Sequence, residues 1–449
     1  MKSPITQKTK TIARLLYKKI RRSRTFKRVS FRAQTIVLSI LLIMFLLGYL
    51  ESMRWPISGP KATHGILKGL FLLLAGCLIF LPLPSVRTRL HKQNYLMMGF
   101  VLAIGISTLF SQVPEASLLY LWYPFMSAAI VFAFSKIRLP RGYLMLFLAL
   151  SAVLVIATFT FTFFSLLFRY EVDPLYYFLF LEHRANYLLS ELRYYGKYAS
   201  LGPYIMLVPL CALFLVKNRA SIIQKLFSSL VIFVGVLTAV MSNNRIDAIV
   251  IFIELIFVLW LMPRKTAAIV LLVSLPIVWF GMYTSQRYFG FNLEDRFFRP
   301  RVERDLETID LRFTYWDTAL KNFKSHPIVG TGPNTYNDVS EFPLRRYYDR
   351  GARNYTVRSD IGIGVHNLFF EKLSDTGLLG FISFVALLLY FVKTDFLRLI
   401  GIKQAERKRQ YLLFALSSWA WILYGITDNG YGAQGMVTFF FLRGILNHL

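Results

Sequence analysis

The chain has 449 residues, 55% of them apolar, with a mean hydropathy of +0.49 and a formal charge of +28. Long apolar runs recur along it with short cation clusters between them, which favours one bundle of membrane spans over a set of soluble domains and over nucleic-acid binding. The two cysteines, Cys77 and Cys211, both fall inside apolar runs, so neither a cysteine zinc site nor a disulfide framework is implied.

Residues 1–35 hold twelve Lys or Arg and no carboxylate. The apolar run 36–50 lacks a small-x-small cleavage site, so it predicts a retained first span behind a basic cytoplasmic tail that suits anionic lipid. Apolar runs then predict about twelve spans, near 34–50, 66–83, 95–110, 117–134, 143–168, 199–216, 224–241, 246–262, 266–283, 376–392, 411–426 and 433–447. With the N-terminus inside, every internal loop is basic: Arg87, Arg89 and Lys92; Lys136, Arg138 and Arg141; Lys217, Arg219 and Lys225; Arg264 and Lys265; and Lys393, Arg398, Lys403, Arg407, Lys408 and Arg409. This predicts an all-α polytopic protein of the bacterial inner membrane with both termini cytoplasmic. Its parts are a tail (1–33), spans one to nine (34–283), a large periplasmic loop (284–375) and three last spans (376–449).

The loop is the chemically informative part. Between Arg301 and Lys324, Leu306, Ile309, Phe313, Trp316, Leu320 and Phe323 recur at helical spacing, which predicts an amphipathic helix carrying Arg312. The turn His326-Pro327-Ile328-Val329-Gly330-Thr331-Gly332-Pro333 ends it. No Walker lysine accompanies its glycines, so it is no phosphate loop. His366 follows Gly362 and Gly364 and precedes a helix-like run, with Asn367 and Glu371 close by. An imidazole titrates near neutrality and suits general-base work. No His-x-x-x-His or Glu-x-x-His pattern predicts a metal, and no cofactor is implied. Arg245 stands in a polar break, Ser242-Asn243-Asn244-Arg245-Ile246-Asp247, as either a snorkelling anchor or a phosphate ligand. The segment 169–198 is rich in tyrosine beside Arg184 and Arg193, which fits glycan stacking or an interfacial aromatic belt.

Taken together, three motifs resemble the bacterial O-antigen ligase family, which also holds Wzy-type polymerases and some protein O-oligosaccharyltransferases. They are Arg245 after a span, Arg312-x-x-x-Trp316-x-x-Ala319 running into His326-Pro327-Ile328-Val329-Gly330-Thr331-Gly332, and His366-Asn367 with Glu371 and Gly377-Leu378-Leu379-Gly380. The resemblance implies a C-class glycosyltransferase-like fold. It also implies metal-independent, inverting glycan transfer from an undecaprenyl-diphosphate donor to a lipid A-core sugar or another lipid-linked repeat on the periplasmic face. By that resemblance His366, Arg312 and Arg245 are catalytic, and Arg245, Arg312, Asn367, Glu371 and Arg346 bind substrate. Arg345, Arg350, Arg353 and Arg358 are either further phosphate contacts or a solvated basic surface. The competing class is a polysaccharide flippase or other transporter, which would line a path with buried ionisable groups; Glu254 and Arg443 are the candidates.

Overall fold

The computed structural model describes residues 33–46, 73–74, 76–77, 92–137, 139–169, 202–217, 220–241, 245–272, 276, 302–340, 344–349, 354–359, 364–426 and 432–449. In chain order the helices discussed are α1 (Ala33–Leu46), α2 (Lys92–Leu109), α3 (Pro114–Tyr120), α4 (Trp122–Lys136), α5 (Arg141–Arg169), α6 (Gly202–Cys211), α7 (Leu213–Val216), α8 (Ile222–Met241) and α9 (Arg245–Leu261). After them come α10 (Val302–Ser325), α11 (Tyr336–Val339), the strands β1 (Leu344–Asp349) and β2 (Asn354–Ser359), α12 (Leu368–Gly401), α13 (Ala405–Gly425) and α14 (Gly432–Leu446).

The apolar helices bury their faces on one another. Three successive phenylalanines of α14, Phe439, Phe440 and Phe441, are essentially inaccessible. Phe439 stacks on Trp421 of α13 at 4.6 Å, and Phe441 meets Phe45, Phe134 and Phe147 of α1, α4 and α5. Aromatic rings fill volume with few rotatable bonds, so this cluster fixes how α14 lies against its neighbours. Within the same core, Arg443 of α14 grips Asp395 of α12 through its two terminal nitrogens, Nη1 and Nη2, at 2.6 and 2.9 Å. Tyr411 and Trp419 donate to the same carboxylate, at 2.6 and 3.0 Å. Long α12 packs along α2 and also against α10, and it bends at Gly377 (φ 58°, ψ −164°).

Two features correct the sequence expectation. Among the described residues, two helices are long and apolar enough to cross a membrane, Pro114–Lys136 and Leu368–Gly401, where about twelve were expected. Shorter apolar stretches are Ala33–Leu46, Gly142–Ala157 within α5, Ile222–Val236 within α8, Ile249–Leu261 and Gly435–Leu446. Counting apolar runs fails here because a helix buried in a protein core and a helix in lipid share one composition. The run at 199–216 is instead two pieces, α6 and α7, with Pro209 inside the first. The expected multi-pass inner-membrane topology of about twelve spans is overturned by this finding. The all-α expectation fails separately, since β1 and β2 pair antiparallel from Leu344↔Ser359 to Asp349↔Asn354. The N-terminal basic tail and the tyrosine-rich segment 170–198 lie outside the described residues.

Candidate active site at the bend of the long helix

The site is built on the first turns of α12. Asn367 caps them: its Oδ1 accepts from the amides of Phe369 (2.9 Å) and Phe370 (3.1 Å), satisfying two otherwise orphan donors. Its Nδ2 donates to the carbonyl of Ile426 at 2.7 Å. Both ends of the Asn367 amide are therefore committed to holding the helix start. His366, directly before the cap, has φ +52°, a conformation unusual for a residue with a side chain. Such backbone persists where the surroundings over-determine it, and functional sites are enriched in it.

What over-determines His366 is α10. The helix runs over 302–325, close to the predicted 301–324, but its buried stripe differs. Tyr315, Thr318 and Ala319 face inward, whereas Phe313 is 59% exposed. The Tyr315 ring lies 5.9 Å from the His366 ring, and Trp316 stacks on Phe370 at 5.4 Å and 17°. Tyr336 of α11 donates its hydroxyl to the Tyr315 carbonyl at 2.9 Å, and burial pushes that hydroxyl above the ordinary tyrosine range. Val365 completes this small second core. Arg312, half-buried, precedes Tyr315 and Trp316 by one turn of the same helix. One helix thus carries Arg312 and the rings that seat the His366 segment.

The turn after α10 locks onto the bend of α12 through main chain. The amides of Thr331 and Gly332 donate to the carbonyls of Ser374 (3.1 Å) and Asp375 (2.9 Å). In return, the amides of Leu378 and Leu379 donate to Pro327 (2.8 Å) and Ile328 (3.0 Å). Ser107 of α2 adds its hydroxyl to the carbonyls of Val329 (2.6 Å) and Asp375 (3.0 Å). Gly330 (φ +72°) and Gly377 sit where the two chains touch. A Cβ on Gly377 would lie 2.5 Å from the Ile328 carbonyl, and one on Gly330 would fall on the Asp375–Thr376 peptide. The glycines of the two sequence motifs are the two halves of this joint.

Beside the joint lies a charged group missed by sequence reading. Lys372 is buried, with Nζ 2.7 Å from Glu371 Oε1 and 2.9 Å from the Tyr120 hydroxyl of α3, and 5.0 Å from that ring's centre. Asp375 accepts the Asn334 amide on Oδ2 at 2.8 Å, while its buried Oδ1 has no hydrogen-bond partner among the described residues. One ammonium therefore faces two carboxyl groups, and Glu371, at 19% exposure, is the member that reaches the surface. The available signal was a lysine and an aspartate interrupting an apolar run; its partner Tyr120 is too remote in sequence to pair by inspection.

The α10, turn and α12 segments joined here carry two of the three sequence motifs, and these fall inside one matched stretch. Residues 230–385 match the O-antigen ligase family. That stretch covers about a third of the chain and includes Arg245, Arg312, His366 and the Gly377–Gly380 motif. The link to an enzyme family is at this level. No curated protein matches the chain. Within the matched stretch the structure brings together the elements bearing Arg312, His366, Asn367 and Glu371. Arg245 opens α9, which packs on α13, α6 and α8. Arg346 stands on β1 opposite Val357. Among the described residues no group of three His, Cys, Asp or Glu is placed to hold a metal ion.

Proposed function

We propose that the chain transfers a glycan from an undecaprenyl-diphosphate-linked donor to a sugar hydroxyl, with a lipid A-core sugar as acceptor. The observation that carries this reading is the seating of His366 by the helix that bears Arg312, through Tyr315 and through Trp316 on Phe370. The O-antigen ligase match over the same residues supports the substrate class. The acceptor oxygen attacks the anomeric carbon as the carbon–oxygen bond to the diphosphate breaks. The bonding electron pair leaves on the diphosphate oxygen, the acceptor proton passes to the imidazole of His366, and the anomeric centre inverts. Arg312 and Arg245 take the charge that grows on the diphosphate. A guanidinium fork matches two phosphate oxygens, and each such donor contributes about 3 kcal/mol of transition-state stabilisation. Glu371, paired to buried Lys372, holds a polar edge against the acceptor.

The test is turnover of a lipid-diphosphate-linked oligosaccharide by the purified full chain, with a lipid A-core acceptor and a second lipid-linked repeat supplied in parallel. His366→Ala is expected to slow transfer by about 10²–10⁴-fold while the protein keeps its melting temperature. Wild-type turnover in a folded His366→Ala protein would sink the proposal. Transfer to the second repeat alone would make the chain a polymerase instead.

A further inference from the structure

Three segments remote in sequence meet around Glu371: the start of α12, the turn after α10, and residues 111–120, which lead into and form α3. The last of these lies outside the stretch 230–385 matched by the family. It is strapped to the turn after α10. The Gln112 amide donates to the Thr331 carbonyl at 2.9 Å, and the Ser117 hydroxyl donates to the Pro333 carbonyl at 3.0 Å. A Cβ on Gly332 would fall on the Ser111 and Ser117 side chains, so strap and turn are in direct contact. Tyr120, at the end of α3, then accepts from Lys372 Nζ at 2.9 Å. The turn contributes the Asn334 amide, which holds Asp375 by Oδ2. The titratable groups that act on Lys372 are Glu371, Tyr120 and Asp375.

A buried ammonium is tolerated only where fixed partners take its protons, and here those partners are Glu371 Oε1 and the Tyr120 hydroxyl. Glu371 is thereby held through one oxygen. Its other oxygen has no hydrogen-bond partner among the described residues, and the side chain reaches the surface. Asp375 follows Glu371 by four residues, so the two carboxyl groups share a helix face. Without the ammonium they would confront each other, and one would take up a proton or turn to solvent. Lys372 therefore keeps Glu371 ionised and sets the direction of its second oxygen. We propose that Lys372 and Tyr120 are positioning residues for Glu371, whose second oxygen accepts a hydroxyl of the sugar acceptor. A carboxylate oxygen only accepts, so it selects a ligand rich in donors, as a sugar is. That the ligand is a sugar rests on the glycan-transfer reading; the hold of Lys372 and Tyr120 on Glu371 does not.

Two measurements on the purified full chain test this. Binding of a deacylated lipid A-core oligosaccharide is followed by calorimetry without donor, and transfer is followed with donor present. Glu371→Gln and Lys372→Met are each expected to weaken oligosaccharide binding about tenfold, and Tyr120→Phe about threefold. The KM for the acceptor should rise in step, while kcat and the KM for the donor stay within about twofold. Glu371→Gln/Lys372→Met should be no worse than Lys372→Met, because Lys372 acts through Glu371. Lys321→Gln, which removes a cation from an exposed pair with Asp317, should behave as the wild type. Should Lys372→Met unfold, Tyr120→Phe, which removes one oxygen from a half-buried ring, carries the test. Wild-type affinity in a folded Lys372→Met or Tyr120→Phe protein, additive losses in the double variant, or no binding by the wild type overturns the proposal. Oligosaccharide binding that depends on all three residues, in a chain that transfers no glycan, would instead sink the transfer reading and leave the positioning role standing.

Discussion

The two ends of α12 treat buried charge in opposite ways. Toward its C-terminal end, Asp395 receives two bonds from Arg443 and one each from Tyr411 and Trp419, and the Arg443 guanidinium also lies 4.3 Å from the Phe391 ring centre. Both partners are nearly inaccessible, at 4% and 6%. At the N-terminal end Lys372 is equally buried, but its carboxylate partner Glu371 reaches solvent, and Asp375 keeps one oxygen without a donor. The first network leaves only Arg443 Nε without a partner among the described residues, and it is buried away from solvent, so it specifies packing and offers no edge to a ligand. An incomplete one beside an open edge holds groups that a substrate can complete. The difference teaches where to look for chemistry: charge at the far end is scaffold, and charge at the near end is available.

The contrast can be broken first at the scaffold. Arg443→Met leaves Asp395 buried without its cation and is expected to cost about 3–5 kcal/mol by chemical denaturation, while Asp395→Leu/Arg443→Met recovers most of that loss. A double variant as unstable as the single one would show that the pair does more than neutralise itself. Next in size is the joint. Gly377→Ala places a methyl against the Ile328 carbonyl at a left-handed backbone position and is expected to cost about 1–3 kcal/mol, read by the same method. The smallest effect sharpens the comparison at the cap. Asn367→Ala should cost about 1 kcal/mol, and Asn367→Asp, which keeps the accepting oxygen, should cost less. Equal losses in the two would assign the role of Asn367 to its bond with Ile426.

Parts of this arrangement were legible in the sequence. The spacing of apolar residues placed α10 within a residue or two, and the glycines before His366 marked a helix start where α12 begins. The buried face of α10 was less legible. Tyr315 and Thr318 read as polar by type, yet they face inward because Tyr315 meets His366 and Tyr336 there. The joint left only its glycines as a trace, since main-chain hydrogen bonds carry no side-chain signature. The pairing of Lys372 with Tyr120 spans 252 positions and has no local signal. The span count failed for a different reason: hydropathy measures how apolar a run is, and not whether its neighbours are lipid or Phe439 and Trp421.

The reciprocal bonds of the joint also have a consequence for chain length. Thr331 and Gly332 are tied to Ser374 and Asp375, so the stretch between them, which contains β1 and β2, is a loop clamped at its base. For a flexible loop, doubling the length costs only about 0.6 kcal/mol of closure entropy. Residues added beyond β2 would leave the clamp, and the seat that α10 makes for His366, where they are. Insertions beyond β2 are therefore compatible with an unchanged joint beneath them.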